Sequence, residues 1–90
     1  MSDNVSFSLQ GLDDYIYWQT KDKKTLKKIN QLIKDIIRNG NDGIGNPEPL
    51  KSNLSGYTSR KIDEKNRLIY KIKNNGDIEI IQCKGHYNDK

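Results

Sequence analysis

An α+β domain, with two N-terminal helices packed on one face of a small antiparallel sheet, is expected from three features of the 90 residues. Lys23 to Asn39 carries apolar residues at helical spacing, Tyr57 to Lys84 holds three strand-like runs separated by turn signals, and a short alternating run precedes both. Helices followed by consecutive strands suggest that the helices cover one sheet face and leave the other open.

Val5, Phe7 and Leu9 alternate with polar residues, the period of a half-buried strand, and Gln10-Gly11 reads as its end. Leu12, Tyr15, Ile16 and Gln19 then fall at helical spacing. Asp13 and Asp14 are assigned to the first turn, where the positive end of the helix dipole favours carboxylates. Leu26, Ile29, Ile33, Ile36 and Ile37 recur on one side of a second helix, lysines fill most of the remainder, and Asn39-Gly40 supplies a stop. Residues 40–56 contain four glycines and two prolines, which exclude a regular helix or a central strand; loops of this length are often functional. Tyr57 to Glu64, Arg67 to Lys73 and Ile78 to Lys84 read as strands, turned by Lys65-Asn66 and by Asn74-Asn75-Gly76-Asp77. On the middle strand Leu68, Tyr70 and Ile72 alternate with Arg67, Ile69, Lys71 and Lys73, which puts an apolar row on one face and the cations on the other.

Hydrophobic residues make up 32% of the chain and charged residues 31%, so one modest core fits and residues 1–90 are expected to form a single domain. No stretch approaches the roughly 18–20 consecutive apolar residues of a membrane span, and MSDNVSFSLQ lacks the basic and apolar regions of a signal peptide. A cytoplasmic protein with no membrane partner is expected. Cys83 is the single cysteine, which excludes an internal disulfide and a cysteine-based structural zinc site. The net charge of +4 is concentrated: Lys21 to Arg38 holds seven basic residues against two acidic ones, and Lys51 to Lys73 repeats that ratio. Such stretches suit an anionic partner, nucleic acid included, and equally describe solvated helix and strand faces.

Few groups can carry chemistry. His86 is the only histidine, a side chain type that exchanges protons near neutral pH, although its place near a terminus also fits a plain exposed residue. Glu48 sits between Pro47 and Pro49, whose locked φ angles stiffen its mount; it is either a positioned general base or an incidental loop acid. Arg67, one of three arginines, offers a planar fork for phosphate or is an exposed strand cation, with Arg60 and Lys61 on the preceding strand. Together these groups can cut RNA without a metal. A base takes the 2′-OH proton, cations stabilise the phosphate charge, and an acid protonates the leaving 5′-oxygen. No P-loop, dinucleotide fingerprint, Ser/His/Asp order or paired histidine ligands support another chemistry, and no cofactor or metal is expected.

Asp13-Asp14-Tyr15-Ile16-Tyr17-Trp18-Gln19, Lys27 to Asp35, Gly45 to Lys51 with Asn53-Leu54-Ser55-Gly56, Arg67-Leu68-Ile69-Tyr70 and His86-Tyr87 resemble, in order, the YoeB/Txe toxins of the RelE superfamily. The resemblance implies a RelE/YoeB-like microbial RNase fold and the toxin of a type II toxin-antitoxin system, which cleaves mRNA in the ribosomal A site. It implies a YefM-type antitoxin, the 70S ribosome and mRNA as partners, often a homodimer, and operator DNA only through the antitoxin. By position, Glu48 corresponds to the family's general base, Arg67 to its transition-state cation, His86 to its general acid and Tyr87 to an adjacent substrate-holding aromatic. Lys51, Arg60 and Lys61 correspond to supporting phosphate contacts, and the basic helix would face ribosomal RNA. The sequence departs from the pattern at Lys61, where an arginine is common, and in Asn88-Asp89-Lys90, which follow the His-Tyr pair and displace the terminal carboxylate. Lys84-Gly85 predicts a loosened turn before His86. A non-catalytic ribosome or RNA binder, and a transcription co-regulator acting in an antitoxin complex, are the alternatives.

Overall fold

The structure, a computed structural model, describes residues 4–86. Its elements are β1 (Val5–Phe7), α1 (Leu9–Lys21), α2 (Lys23–Asn39), β2 (Glu48–Pro49), a 3-10 turn at Ser52–Leu54, β3 (Thr58–Lys61), β4 (Arg67–Ile72) and β5 (Ile78–Gln82). The five strands form one sheet in the order β1-β5-β4-β3-β2. β2 to β5 pair antiparallel, whereas β1 pairs parallel with β5, so the sheet is mixed at one edge. Both helices intervene before the later strands, and β1 takes the only flank left beside the last of them. Among the described residues no helix is long and apolar enough to cross a membrane.

α2 has the expected bounds because its signals are local. Asp22 caps it, its carboxylate accepting from the Lys24 and Thr25 amides at 3.1 and 3.3 Å, and Gly40 ends it at φ +67°. Hydrogen bonding from the Thr25 hydroxyl and amide holds the Asp22 carboxyl below its usual range. Ile29, Leu32 and Ile36 are buried against Leu68, Tyr70, Ile78, Ile80, Ile62, Cys83 and Trp18, while Leu26 and Ile33 flank that core. Ile37, assigned to the apolar face, is half exposed.

The start of α1 differs from expectation. Ser8 caps the helix, its hydroxyl accepting from the Gly11 amide at 3.1 Å, so Leu9 is helical and 85% exposed rather than the third apolar position of a strand. Gly11 does not end a strand; a Cβ there would run into the Ile80 carbonyl, so glycine is what lets α1 lie directly on β5. The earlier start also moves Asp13 and Asp14 out of the first turn. Asp14 is instead 2% exposed and accepts from the Cys83 amide at 3.0 Å and from the Gln10 side chain at 2.7 Å.

Burial, with the Asp14 carboxyl as a second cause, pushes the Cys83 thiol up to about 12. Because the thiolate is the reactive species, Cys83 is expected to resist iodoacetamide at pH 8 in the folded protein and to react on denaturation. Mass spectrometry of alkylated native protein checks this, and rapid native modification would contradict it.

Candidate active site

Strand register sorts the candidate residues. Glu48 pairs with Ser59, Ser59 with Ile69 and Lys61 with Arg67, and residues directly opposite one another share a sheet face. Leu68 and Tyr70 lie in the core under the helices, so Glu48, Ser59, Lys61, Arg67 and Ile69 occupy the helix-free face. Two strand spacings across and two residues along put the backbones of Glu48 and Arg67 roughly 12 Å apart. Glu48 is exposed and Lys61 and Arg67 are half-buried, whereas Ser59 and Ile69 on the same face are buried.

Glu48 stands on a fixed mount. The Leu50 amide donates to the Tyr57 carbonyl at 2.9 Å and the Lys61 amide to the Gly45 carbonyl at 2.7 Å, which tether the segment at both ends to β3. Asn46 adopts φ +52°, a left-handed conformation that asparagine tolerates better than most residues, and Pro47 and Pro49 stiffen the backbone on either side of Glu48. Leu50 is buried, whereas the Glu48 side chain is exposed and has no hydrogen-bond partner among the described residues. Lys51, two residues past Pro49, is also exposed.

Arg67 opens β4. Its Nη1 donates to the Asp63 and Asn66 carbonyls at 2.5 and 3.1 Å, while Nε and Nη2 have no hydrogen-bond partner among the described residues. The turn beneath it is rigid, because Asp63 accepts from the Lys65 and Asn66 amides, both at 2.8 Å. Burial raises the Asp63 carboxyl, but hydrogen bonds from Asn66 and Lys65 and the nearby Arg67 charge outweigh it, and the net direction is down. Lys61 forms an ion pair with Glu64, whose carboxyl is held low chiefly by that hydrogen bond. An exposed pair of this kind contributes little, so Lys61 can exchange Glu64 for a phosphate.

Arg60 corrects the expected site. It is 0% exposed and lies on the helix-covered face, between two residues that point the other way. Nη1 donates to Asp35 at 2.5 Å and to the Ile44 carbonyl at 2.9 Å; Nη2 donates to the carbonyls of Gly40 and Asp42; Nε donates to the Tyr70 hydroxyl. Every nitrogen is used internally, so Arg60 cannot serve as a phosphate contact. It ties the loop after α2, which leads to Glu48, to α2 and the sheet. Arg60→Ala strips three loop carbonyls of a donor and is expected to destabilise the protein by about 2–3 kcal/mol. Chemical denaturation checks this, and an unchanged midpoint would contradict it.

The final strand brings the histidine to the same end. Cys83 is held on both sides, its amide by Asp14 and its carbonyl by the Trp18 indole N–H at 2.8 Å. Beyond it the Arg67 amide donates to the Gly85 carbonyl at 3.0 Å, and the Gly85 amide donates to the Asn66 side-chain oxygen at 2.7 Å. Gly85 has φ +80°, a turn that glycine makes without strain. The expected looseness before His86 is therefore not found: the turn is tied to the residue that carries Arg67, and His86 comes next, exposed. Tyr87 and Asn88-Asp89-Lys90 lie outside the described residues. Of the two residues that hold this tail, Asn66 was read in the sequence only as part of a turn and Gln82 was not singled out. An Asp-x-x-Asn turn signal was present for the first, and nothing local marked the second.

A family model described as the YoeB-like toxin of bacterial type II toxin-antitoxin systems matches residues 7–87. Toxin YoeB of Synechocystis sp. is 52% identical over 83 residues, covering 92% of this chain and 95% of that relative. A heterotetrameric YoeB-YefM toxin-antitoxin complex from Staphylococcus aureus contains a chain that is 52% identical with a TM-score of 0.86, covering 97% of this chain and 100% of that one. The YoeB dimer from Staphylococcus aureus gives 51% identity and a TM-score of 0.87 at the same coverage. Matches of this extent and identity, on a fold whose helix-free face gathers Glu48, Lys61 and Arg67, mean that the chain belongs to the YoeB-like toxins of bacterial type II toxin-antitoxin systems.

Proposed function

We propose that this toxin is a ribosome-dependent endoribonuclease that cleaves mRNA in the A site by acid-base catalysis. The observation that carries this reading is the register, which sets Glu48 and Arg67 on the same helix-free face, with the His86 tail hydrogen-bonded to the Arg67 backbone. Glu48 takes the ribose 2′-OH proton, and O2′ attacks the adjacent phosphorus. Arg67, with Lys51 and Lys61 beside it, stabilises the extra negative charge on the phosphoryl oxygens. The P–O5′ bond breaks as His86 gives its proton to O5′, leaving a 2′,3′-cyclic phosphate and a 5′-hydroxyl. Tyr87 helps hold the substrate.

The partners are inferred from relatives and from charge. A YefM-type antitoxin, as in the Staphylococcus aureus complex, would cover the open face, and a homodimer is the second assembly state, as in that organism's YoeB. Operator DNA would be engaged only through the antitoxin. The lysine-rich exposed side of α2 suits the phosphates of ribosomal RNA.

The chemistry is tested by the ends it makes. Cleavage of mRNA on programmed ribosomes is expected to give 5′-hydroxyl ends, which polynucleotide kinase labels without prior phosphatase. Ends that carry a 5′-phosphate would mean attack by water on the other side of the linkage and would remove the roles given to Glu48 and His86.

A further inference from the structure

The β4-β5 pairing slips by one residue. Tyr70 opposes Ile80 but Ile69 opposes Gln82, so Ile81 is the extra residue of a bulge. Without it, alternation would send Gln82 toward the helices and Cys83 to the open face. The bulge reverses both: Cys83 enters the core, and Gln82 stands with Ile69 on the helix-free face. From there the Gln82 amide nitrogen faces the carbonyl oxygens of Lys84, Gly85 and His86 at 3.2, 3.4 and 3.1 Å. Three acceptors around one atom identify it as the NH2 group, since an oxygen there would meet only oxygens.

We infer that Gln82 is a positioning residue for His86: it gathers the tail carbonyls, and with Asn66 it sets the imidazole beside Arg67. The inference rests on the acid-base reading above. Asn66 completes the clamp, its side-chain oxygen holding the Gly85 amide and its side-chain nitrogen donating to the Asp63 carboxylate at 3.1 and 3.0 Å. The tail is thereby joined to the turn whose carbonyls hold Arg67. Neither amide touches the reacting atoms. Each acts by restricting where His86 can deliver its proton to O5′.

The test separates positioning of the acid from general weakening. Ribosomes are programmed with a short mRNA whose scissile linkage carries either the natural 5′-oxygen or a bridging 5′-sulfur. In both, the O2′–P bond forms and the P–O5′ or P–S5′ bond breaks, but a thiol is far more acidic than an alcohol, so the thiolate leaves without an acid. Gln82→Met keeps the volume and removes the donors. It is expected to slow cleavage of the oxygen linkage about tenfold or more, as small misplacements of a catalytic group do, and cleavage of the sulfur linkage by less than about twofold. Asn66→Ala is expected to show the same split, and near-parental turnover of the sulfur linkage reports that either variant is folded. Glu48→Gln should be slow on both linkages, and His86→Gln slow on oxygen alone. Equal losses on the two linkages, or no loss on either, in both amide variants would overturn the inference. If sulfur fails to rescue His86→Gln, the acid assignment itself is wrong and the inference falls with it, while the base assignment stands on the Glu48→Gln result.

Discussion

Glu48→Gln is expected to lower the single-turnover rate of mRNA cleavage about 10²–10⁴-fold, the range that a positioned acid or base supplies. The loss should come without unfolding. The side chain is exposed and makes no hydrogen bond among the described residues, so an isosteric amide removes only the basicity. Its mount is backbone: Pro47, Pro49, the pairing with Ser59 and the tethers at Gly45 and Leu50 are unaffected by the substitution. Thermal melts should therefore agree with the parent to within about 0.5 kcal/mol, as for other surface substitutions. Parental cleavage by the folded variant would show that the stiff loop carries an acid with no catalytic part.

Arg67→Ala is expected to cost about 10²–10³-fold, the effect of removing one preorganised charge or donor aimed at a developing oxyanion. The contact that ties the tail to β4 uses the Arg67 amide, not its guanidinium, so the alanine variant keeps that contact while losing the cation and its hydrogen bonds to the Asp63 and Asn66 carbonyls. Arg67→Lys should recover little. A lysine offers a point charge where the arginine presents Nε and Nη2 as a planar pair while Nη1 stays on the turn carbonyls. Rates for the two variants on programmed ribosomes check this, and a lysine variant equal to the parent would mean that charge without geometry suffices.

The elements that the sequence specifies by neighbouring residues were legible in it. α2 announces itself by apolar spacing and a glycine stop, both within one segment, and its bounds agree with the structure. Glu48 was legible as a rigidly mounted acid because two flanking prolines are a local constraint. Facing was harder to read. Arg60 and Lys61 are adjacent and alike in charge, yet one is a buried latch and the other is half exposed on the open face, and only the register of β3 against β4 separates them. Gly11 reads as a break until β5 is seen passing beneath it. Gln82 was invisible for the same reason, since a one-residue bulge in the pairing of β4 and β5 decides which face it takes. The parallel placement of β1 likewise depends on which edge remains after the other strands pair.

If the toxin works as proposed, cutting requires both a translating ribosome and the acid-base pair. The direct measurement maps mRNA 5′ ends in a translating bacterial extract with the parent protein, with the Glu48→Gln/His86→Gln variant, and in an extract stalled before initiation. New ends are expected at A-site codons with the parent, none with the variant and none in the stalled extract. Arrest of translation without new ends, equal for parent and variant, would contradict ribosome-dependent cleavage and leave a ribosome binder that does not cut.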